Sequence, residues 1–358
     1  MNNIARVQAL ASEAAVRLRP HAKTHKSPTV ARWQLDAGAV GIACAKIGEA
    51  EVFADAGVRD IRLPYPVNPV NSSRLLALMD RTAISIIVDH AEVARGWSEA
   101  MTRAGRTLDV LIKVDVGFHR CGIDPHADPL GFIQTTASLP GLKLRGLLSH
   151  AGHAYHAASE DALRTIARDE AALLADLRAR ASASGIALDE ISVGATPTLR
   201  FSAGQEGVTE LRPGNYVYFD RTQVALGAAS LDDCALTVLA TVVSKHAGRI
   251  VLDCGSKTLT NDQARGISPA AGYGAVLAGE SDALDYAREI DETLTIERLS
   301  EEHATVRVTG ATRLEPGDRV RVVPNHSCVV SNLVDVVRLV DGDQVIETLP
   351  VAARGRIQ

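Results

Sequence analysis

Hydrophobic and polar positions follow one pattern over the first 225 residues of the chain and a different pattern after them. In the first part, short runs rich in β-branched residues end at Gly, Pro or a polar residue, and alanine-rich amphipathic stretches follow. The spacing of apolar residues predicts its clearest helices at Asn3 to Ala15 and at Glu160 to Ala183. Eight runs predict strands: one that leads into Arg19, and those at 38–45, 60–65, 83–89, 108–115, 144–150, 190–194 and 208–212.

This alternation of strands and helices predicts a (β/α)8 TIM-type barrel in residues 1–225. A doubly wound open sheet is the alternative that the same alternation allows. After residue 225, turns rather than long helices separate the strand-like runs, which is typical of antiparallel sheets. Residues 226–358 are therefore predicted to form a smaller, mostly antiparallel β domain, with strands at 235–243, 249–253, 304–308, 319–323, 330–340 and 344–349.

Composition and charge exclude several classes of protein. The 358 residues carry 38 basic and 43 acidic side chains, so there is no basic field for nucleic acid. No apolar run reaches the length of a membrane span, and Met1 to Pro20 mixes arginines into its apolar residues, unlike a signal peptide. The five cysteines are scattered and odd in number, which indicates reduced thiols and a cytoplasmic protein.

A dense cationic cluster, R-P-H-A-K-T-H-K at 19–26, falls where the first strand ends. Barrel enzymes carry their chemistry at the carboxyl ends of the strands. Nearby cations disfavour an ammonium, so Lys23 is expected to have a lowered pKa and to act as a nucleophile toward carbonyls. The alternative is a solvated surface charge. Other polar side chains also follow predicted strands: Asp115, His119, Arg120, Ser149, His150, His153, His156, Thr196, Arg212 and Asn215.

Two further segments suit small ligands. G-A-T (194–196) and R-P-G-N-Y (212–216) follow the last two barrel strands and offer small residues, backbone N–H groups and a hydroxyl, which suit a phosphate unless they are ordinary turns. A nucleophilic lysine beside a phosphate site suggests pyridoxal phosphate. In H-S-C (326–328), two potential zinc ligands would point to the same side of an extended segment; the alternative is a buried structural pair.

Together these segments resemble the metal-activated, fold-type III pyridoxal phosphate enzymes, which comprise D-threonine aldolases and D-serine-type dehydratases and are relatives of alanine racemase. The matching segments occur in family order and span nearly the whole chain. They are R-P-H-A-K-T-H-K (19–26), V-D-V-G-F-H-R-C-G (114–122), S-H-A-G (149–152), V-G-A-T-P-T (193–198), E-L-R-P-G-N-Y-V-Y-F-D (210–220) and V-P-N-H-S-C (323–328).

The resemblance implies a role for individual residues. Lys23 resembles the lysine that holds the cofactor, and His326 with Cys328 resembles the metal pair. The metal is expected to be zinc, with manganese as an alternative. The cofactor-binding residues that the resemblance implies are Arg120 and Arg212 near the ring (which of them reaches the ring nitrogen is left open), His150 packing near the ring, Thr196, Gly214 and Asn215 at the phosphate, and Tyr155 or Tyr216 as a further hydroxyl.

One departure from the family concerns the N-terminus. Family members usually have an extra strand before the first helix, with an Asp-Thr-Pro-like start, that belongs to the small β domain. This chain begins at Met1 inside what would be that helix. We expect either that the start site is assigned too late or that the strand is absent, which would leave a sheet edge unpaired.

The resemblance also implies a lyase that acts on D-3-hydroxy amino acids and works as a homodimer. His-x-Cys and T-P-T (196–198) favour dehydration of a D-serine, D-threonine or 3-hydroxy-D-aspartate type of substrate to a 2-oxo acid and ammonia. His156 matches the position of the aldolases' catalytic base, which favours retro-aldol cleavage to glycine and an aldehyde, unless it is an exposed loop histidine. A racemase or a non-catalytic pyridoxal phosphate-binding protein is less favoured, because neither needs the metal pair.

Overall fold

The computed structural model describes residues 1–268, 271–278, 289–342 and 344–358, and its first eight strands form one parallel sheet. The order β1-β8-β7-β6-β5-β4-β3-β2 follows the chain, and a parallel bridge between His21 and Ala43 joins its two ends. This confirms the barrel prediction; the doubly wound alternative is wrong, since such a sheet keeps β1 away from its edge. The strands are β1 Arg17–Leu18, β2 Ile42–Ala43, β3 Asp60–Pro66, β4 Ala83–Val88, β5 Leu108–Lys113, β6 Leu142–Leu148, β7 Glu190–Val193 and β8 Glu210–Leu211.

Helices cover the outside of the barrel. The longest one runs from Glu160 to Ala183 as predicted, and the Ser159 side chain caps it by accepting the N–H of Ala162. Within the described residues, we find no helix with the length and apolarity that crossing a membrane requires. The helices are α1 Asn2–Glu13, α2 Pro28–Asp36, α3 Ile47–Asp55, α4 Ser72–Met79, α5 Ala91–Ala104, α6 Pro129–Ser138, α7 Glu160–Ala183, α8 Leu199–Ser202 and α9 Arg221–Ala225.

The barrel interior carries ionic groups as well as the usual apolar ones. Arg62 on β3 donates to Glu210 on β8 and to Glu190 on β7, so its side chain crosses the barrel. Arg19, just after β1, donates to the other oxygen of Glu210 at 2.8 Å. Ser192 on β7 donates to the first oxygen at 2.5 Å. Because every partner is buried and bonded, this network links strands β1, β3, β7 and β8 from inside.

The second unit contains a six-stranded antiparallel sheet with its own apolar core. The sequence did not predict β11 or β12. In β12 the register shifts between Ile296 and Arg298, which breaks the alternation that identifies a strand. The sheet order is β11-β14-β9-β10-β13-β12, with β9 Val238–His246, β10 Arg249–Leu252, β11 Ala275–Val276, β12 Leu294–Leu299, β13 Ala304–Val308 and β14 Arg319–Val323, and two short helices, α10 Ser256–Leu259 and α11 Ser327–Ser331.

The last part of the chain returns to the barrel. The hairpin of β15 (Val336–Asp341) and β16 (Gln344–Pro350) packs apolar side chains against α1 and α2. The predicted strand at 330–340 begins only at Val336, because α11 takes up its first residues. Beyond the hairpin, Ala353 donates its N–H to the carbonyl of Lys26 at 3.0 Å. This return brings α11 against the 3₁₀ turn Ala22–Thr24, which carries Lys23.

Candidate active site

A cavity of about 220 Å³ opens at the carboxyl ends of the barrel strands, between the barrel and the β unit. The structure does not bring Tyr216 to it: that ring is fully buried, and its hydroxyl accepts a hydrogen bond from Gln34 on α2 at 2.9 Å. The cavity gathers the other eleven residues to which the family resemblance gave a role, namely Lys23, Arg120, His150, Tyr155, His156, Thr196, Arg212, Gly214, Asn215, His326 and Cys328.

Lys23 lies on the short 3₁₀ turn after β1, and His21 caps this turn through its Nδ1 atom. Burial lowers the pKa of Lys23; the nearby guanidinium groups of Arg120 and Arg212 lower it further, while the Cys328 thiolate opposes them. A lysine with a lowered pKa keeps more of its amine neutral near neutral pH. The chemistry of the site therefore suits attack by this amine on an aldehyde carbon.

The sequence predicted the direction of this pKa shift but attributed it to the wrong neighbours. Arg19 points into the barrel, where it pairs with Glu210 and Asp60. Lys26 forms a buried ion pair with Glu49 at 3.1 Å. Most of the cations in the opening cluster thus have structural partners, and burial together with arginines from other strands acts on Lys23 instead.

The loops after β7 and β8 form one end of the cavity, with Thr196, Gly214 and Asn215 in its wall. In the described part of the chain, the buried Thr196 hydroxyl has no hydrogen-bond partner. A Cβ on Gly214 would come within 2.9 Å of the Thr24 hydroxyl, so only glycine allows the loop to pack there. An unpartnered hydroxyl on small-residue loops after the last two strands fits an anion such as a phosphate.

Arg212 and His150 form the floor of the cavity. The guanidinium of Arg212 donates to the Ser192 hydroxyl at 2.8 Å and to two backbone carbonyls, those of Ser149 and Ser192. Burial lowers the pKa of Arg212 to about 10. His150 donates through Nδ1 to the carbonyl of Gly194, and burial holds its pKa well below the usual value, so the ring is neutral.

Arg120 differs from Arg212 because it is exposed. It lies in the loop after β5, with its guanidinium carbon 5.0 Å from the ring centroid of Phe118. Phe118 in turn meets His150 edge to face, with 5.7 Å between ring centroids. The two arginines are therefore held in different ways, one rigidly by the barrel and one by an aromatic side chain at the cavity wall.

His326 and Cys328 meet at the start of α11, where His326 is the N-cap residue. The sequence interpretation placed both on an extended segment, which is wrong: only His326 is extended, and the helix begins at Ser327. The two side chains interact because an N-cap residue and the second residue of a helix can face each other across the first turn. Cys328 also lies 3.2 Å from the Thr24 hydroxyl, beside Lys23.

The charges of this pair suit a metal ion. Burial opposes a thiolate, but His326 lowers the pKa of Cys328. Asp262 lies 3.1 Å from Nδ1 of His326, which leaves Nε2 as the nitrogen available to a metal. No cluster of three histidine, cysteine or carboxylate side chains within the described residues could enclose a metal. A thiolate and an imidazole on one side match an open site, in which non-protein ligands complete the coordination.

The sequence missed several residues that line the cavity. Lys113 is the last residue of β5, so the rule that chemistry follows strand ends could have found it. Its pKa is lowered to about 7, by burial first and then by Arg212. Asp220 binds the N–H of Ser327 at 3.0 Å and so holds α11 to the barrel. No local pattern pointed to the β-unit residues Asp262, Gln263 and Arg265.

Asp115, which the sequence singled out, lies outside the cavity and shapes the loop after β5. Its carboxylate accepts the backbone N–H groups of Gly117, Phe118 and His119 and so shapes the loop that carries Phe118 and Arg120. His119 points outward, with 83% of its side chain exposed, and pairs with the same carboxylate. Neither Asp115 nor His119 lines the cavity.

A parallel barrel with a half-buried lysine at the end of β1, and loops after β7 and β8 that suit an anion, defines a class of cofactor-binding protein, and comparison with known proteins identifies it. The family model for the alanine racemase N-terminal domain matches residues 1–222, and the model for a D-serine-dehydratase-type domain matches residues 235–340. The chain belongs to the alanine-racemase-like, fold-type III family of pyridoxal phosphate enzymes, as the sequence motifs indicated.

Within that family, the chain is similar to characterised relatives over nearly its whole length. It is 35% identical to a D-threonine aldolase from Arthrobacter sp, with 99% of this chain and 89% of the aldolase covered. It is 32% identical to the D-threo-3-hydroxyaspartate dehydratase of Delftia sp. (strain HT23), with 97% and 92% covered.

The solved structure of the Delftia dehydratase superimposes on this chain with a TM-score of 0.89, at 31% identity over 98% of this chain and 93% of the dehydratase. A cysteine-to-alanine variant of that dehydratase, solved in a metal-free form, matches with the same TM-score, identity and coverage.

Proposed function

We propose that the protein is a pyridoxal phosphate- and metal-dependent lyase that removes water from D-3-hydroxy amino acids. One observation carries the proposal: Lys23 and Cys328 share one cavity and act on each other electrostatically, so an amine nucleophile faces two metal ligands. The similarity to both a dehydratase and an aldolase of D-amino acids supports the same class of substrate.

The chain's own residues supply a place for each part of the cofactor. Thr196, Gly214 and Asn215 would hold the phosphate, and Lys23 would hold the aldehyde carbon. His150 would pack against the ring, and we assign the ring nitrogen to Arg212 rather than Arg120, because Arg212 is buried and fixed by the barrel. Pyridoxal phosphate, when bound, stabilises a carbanion at the substrate Cα.

The proposed reaction gives Lys23 and the metal pair separate tasks. Lys23, whose pKa is lowered by burial, takes the Cα proton through its neutral amine, which prepares loss of the β-hydroxyl. A divalent ion on His326 and Cys328 would polarise that hydroxyl as a Lewis acid. Loss of hydroxide and hydrolysis of the remaining enamine give a 2-oxo acid and ammonia. Tyr155 lines the same cavity as Lys23 and the metal pair, and burial keeps its hydroxyl protonated by raising its pKa.

A specific observation favours a second candidate. His156 is exposed yet lines the same cavity as the metal pair, in the 3₁₀ segment Gly152–His156 after β6. A base at that position would take the proton of the β-hydroxyl instead of the Cα proton. The Cα–Cβ bond would then break and release glycine and an aldehyde, which is the retro-aldol reaction.

The two candidates give different products from one substrate. The purified protein is incubated with pyridoxal phosphate, zinc or manganese, and D-threonine, and the products are identified. 2-Oxobutanoate with ammonia supports the dehydratase, while glycine with acetaldehyde supports the aldolase and makes His156 the base. A chelator should abolish either reaction. Activity that survives chelation would contradict the metal's role and favour a metal-independent enzyme such as a racemase, whereas no turnover at all would favour a non-catalytic carrier.

We further propose that zinc occupies the metal site, with manganese as the alternative, since thiolate with imidazole suits zinc. We also propose a homodimer in the cytoplasm and a division into units at 1–225 and 226–358. The hairpin of β15 and β16 exposes Val345 and Ile346 by 55% and 60%, a pattern that would suit contact with a second copy. Light scattering on the eluting protein tests the dimer, and metal analysis tests the ion.

A further inference from the structure

Arg265 is a cation on the cavity wall to which the proposed function gives no role. It lies in the segment between α10 and β11 and lines the cavity together with Asp262 and Gln263. Its Nη2 atom is 4.0 Å from the nearest oxygen of Asp262, which is too far for a hydrogen bond. The side chain is 50% exposed, and among the described residues its guanidinium makes no recorded hydrogen bond.

Asp262 does not neutralise Arg265 through close contact. The other oxygen of the Asp262 carboxylate is 3.1 Å from Nδ1 of His326, and this contact orients the imidazole toward the cavity. A guanidinium has five N–H donors in a planar fork that fits a carboxylate. Arg265 therefore presents free donors at a solvent-accessible position of the cavity.

The position of Arg265 decides which part of a substrate it could reach. Its charge acts on the Tyr155 hydroxyl, and the Cys328 thiolate acts on the same hydroxyl. The Asp262 carboxylate lies 4.0 Å from Arg265 and 3.1 Å from Nδ1 of His326, so Arg265 and the metal pair belong to one wall of the cavity, which Tyr155 also lines. The next step rests on the proposed function: if the β-hydroxyl of the substrate binds at the metal pair, then the remaining substituent of the β-carbon lies against this wall.

The balance of charge in the cavity favours a negative substituent. Among the described residues, five lysine and arginine side chains line it against two aspartates, Asp220 and Asp262, and the Cys328 thiolate. Asp220 is already used to hold α11. The phosphate is assigned to the β7 and β8 loops, and Arg265 is not part of those loops. Asp262, at 4.0 Å, is the nearest counter-charge of Arg265 but accepts no hydrogen bond from it, so a methyl or hydrogen substituent would leave the guanidinium donors to water, whereas a carboxylate would accept two of them.

We propose that Arg265 binds a second carboxylate, carried on the β-carbon, and that the preferred substrates are 3-hydroxy dicarboxylic D-amino acids. The smallest such substrate is 3-hydroxy-D-aspartate. Its α-carboxylate and amine lie at the cofactor, its hydroxyl at His326 and Cys328, and its β-carboxylate at the Arg265 fork. Arg265 is thereby a specificity-determining residue, and Tyr155 and Asp262 hold the wall around it.

The test compares kcat/KM for 3-hydroxy-D-aspartate with that for D-threonine. The wild-type ratio should favour the dicarboxylate, and Arg265→Met should lower this ratio by about 10- to 100-fold, as expected for loss of charge-assisted hydrogen bonds. Arg265→Lys keeps the positive charge but loses the planar fork of donors, so its ratio should lie between those of the wild-type protein and Arg265→Met. The matched control is Arg313→Met, an exposed arginine of the β unit that does not line the cavity; it should leave the ratio unchanged.

A binding measurement provides a readout that does not depend on turnover. Titration calorimetry of the cofactor-loaded protein with succinate, against butyrate as a monocarboxylate, should show tighter succinate binding that Arg265→Met removes. An unchanged ratio in Arg265→Met, or equal binding of the two acids, overturns the proposal while leaving the lyase intact. If the wild-type protein turns over no 3-hydroxy amino acid and still binds succinate through Arg265, the proposed function fails instead.

Discussion

At the scale of single residues, Lys23 depends on its surroundings for the lowered pKa of its amine. Replacing it with alanine removes the only reactive group that the proposal assigns to the cofactor aldehyde. Lys23→Ala, mixed with pyridoxal phosphate and freed of excess by gel filtration, should show no visible absorption band from bound cofactor. Lys257→Ala, an exposed lysine paired with Glu301 and Glu302, should keep the band. A Lys23→Ala protein that stays yellow and active would contradict the assignment of Lys23 as the residue that holds the cofactor.

Ser192 is a second single residue with a predictable effect. Its hydroxyl accepts from Arg212 at 2.8 Å and donates to Glu210 at 2.5 Å, so it joins the barrel's ionic network to the cavity floor. Ser192→Ala leaves the Arg212 Nε–H unpaired and should weaken pyridoxal phosphate binding by about tenfold, measured by titration of cofactor absorbance. Ser202→Ala is the matched control, since Ser202 is buried but its hydroxyl has no hydrogen-bond partner among the residues that the structure describes. Equal losses in both variants would indicate a general packing defect.

The residue scale also shows how much of the site could be predicted from sequence. Strand-end position and short motifs identified Lys23, His150, Arg212 and the H-S-C pair, because each lies within a few residues of a readable pattern. The cause of the Lys23 pKa shift could not be predicted, since the groups that act on it come from distant strands. Tyr216 could not be placed either, because the turn after β8 directs its hydroxyl to Gln34.

At the scale of elements, periodicity predicted the barrel strands and α7 well and the β unit less well. Each barrel strand is a short apolar run bounded by clear breakers. The strand β12 was missed because its bulge interrupts the alternation, and α11 was missed because five residues are too few to show a helical period. The H-S-C motif therefore identified the proposed metal pair. The geometry of this pair depends on the start of α11, which the sequence did not predict.

The helix start at α11 leads to a prediction about metal retention. In the proposed site Cys328 would supply one of two protein ligands, and the second, His326, alone would hold a divalent ion weakly. Cys328→Ala should lose its metal on dialysis, measured as metal content per chain, while the wild-type protein retains it. Cys121→Ala, a half-buried cysteine that does not line the cavity, serves as control. Metal content equal to wild type in Cys328→Ala would contradict the ligand assignment.

At the scale of the whole molecule, the barrel closes around a buried carboxylate. Glu210 accepts from Arg62 on β3, from Arg19 after β1 and from Ser192 on β7, so it ties strands that are far apart in the chain. Burial would raise the pKa of Glu210, but the two guanidinium groups lower it from 4.5 to about 2. The network thus makes the stability of the fold depend on the ionised form of one side chain.

The direction of that dependence on pH follows from linkage. A group whose pKa is lower in the folded state contributes stability that is present above its unfolded pKa and is lost as the pH falls toward its folded pKa. For Glu210 the window runs from about pH 5 down to about pH 2, and the contribution is on the order of 3 kcal/mol. Urea unfolding at a series of pH values should show the wild-type free energy of unfolding falling through this window.

Glu210→Gln isolates this contribution. The variant removes one of two carboxylates from each guanidinium group, since Arg62 keeps Glu190 and Arg19 keeps Asp60, so it should be less stable than wild type at pH 7 by about 3 kcal/mol. As the pH falls, the wild-type protein loses the Glu210 charge, whereas the variant has no such charge to lose. The difference in the free energy of unfolding between variant and wild type should therefore shrink below about pH 5. Glu13→Gln, at an exposed position on α1, should follow the wild-type curve. A constant difference from pH 7 to pH 3 would mean that Glu210 stabilises the barrel through packing and hydrogen bonds rather than through its charge.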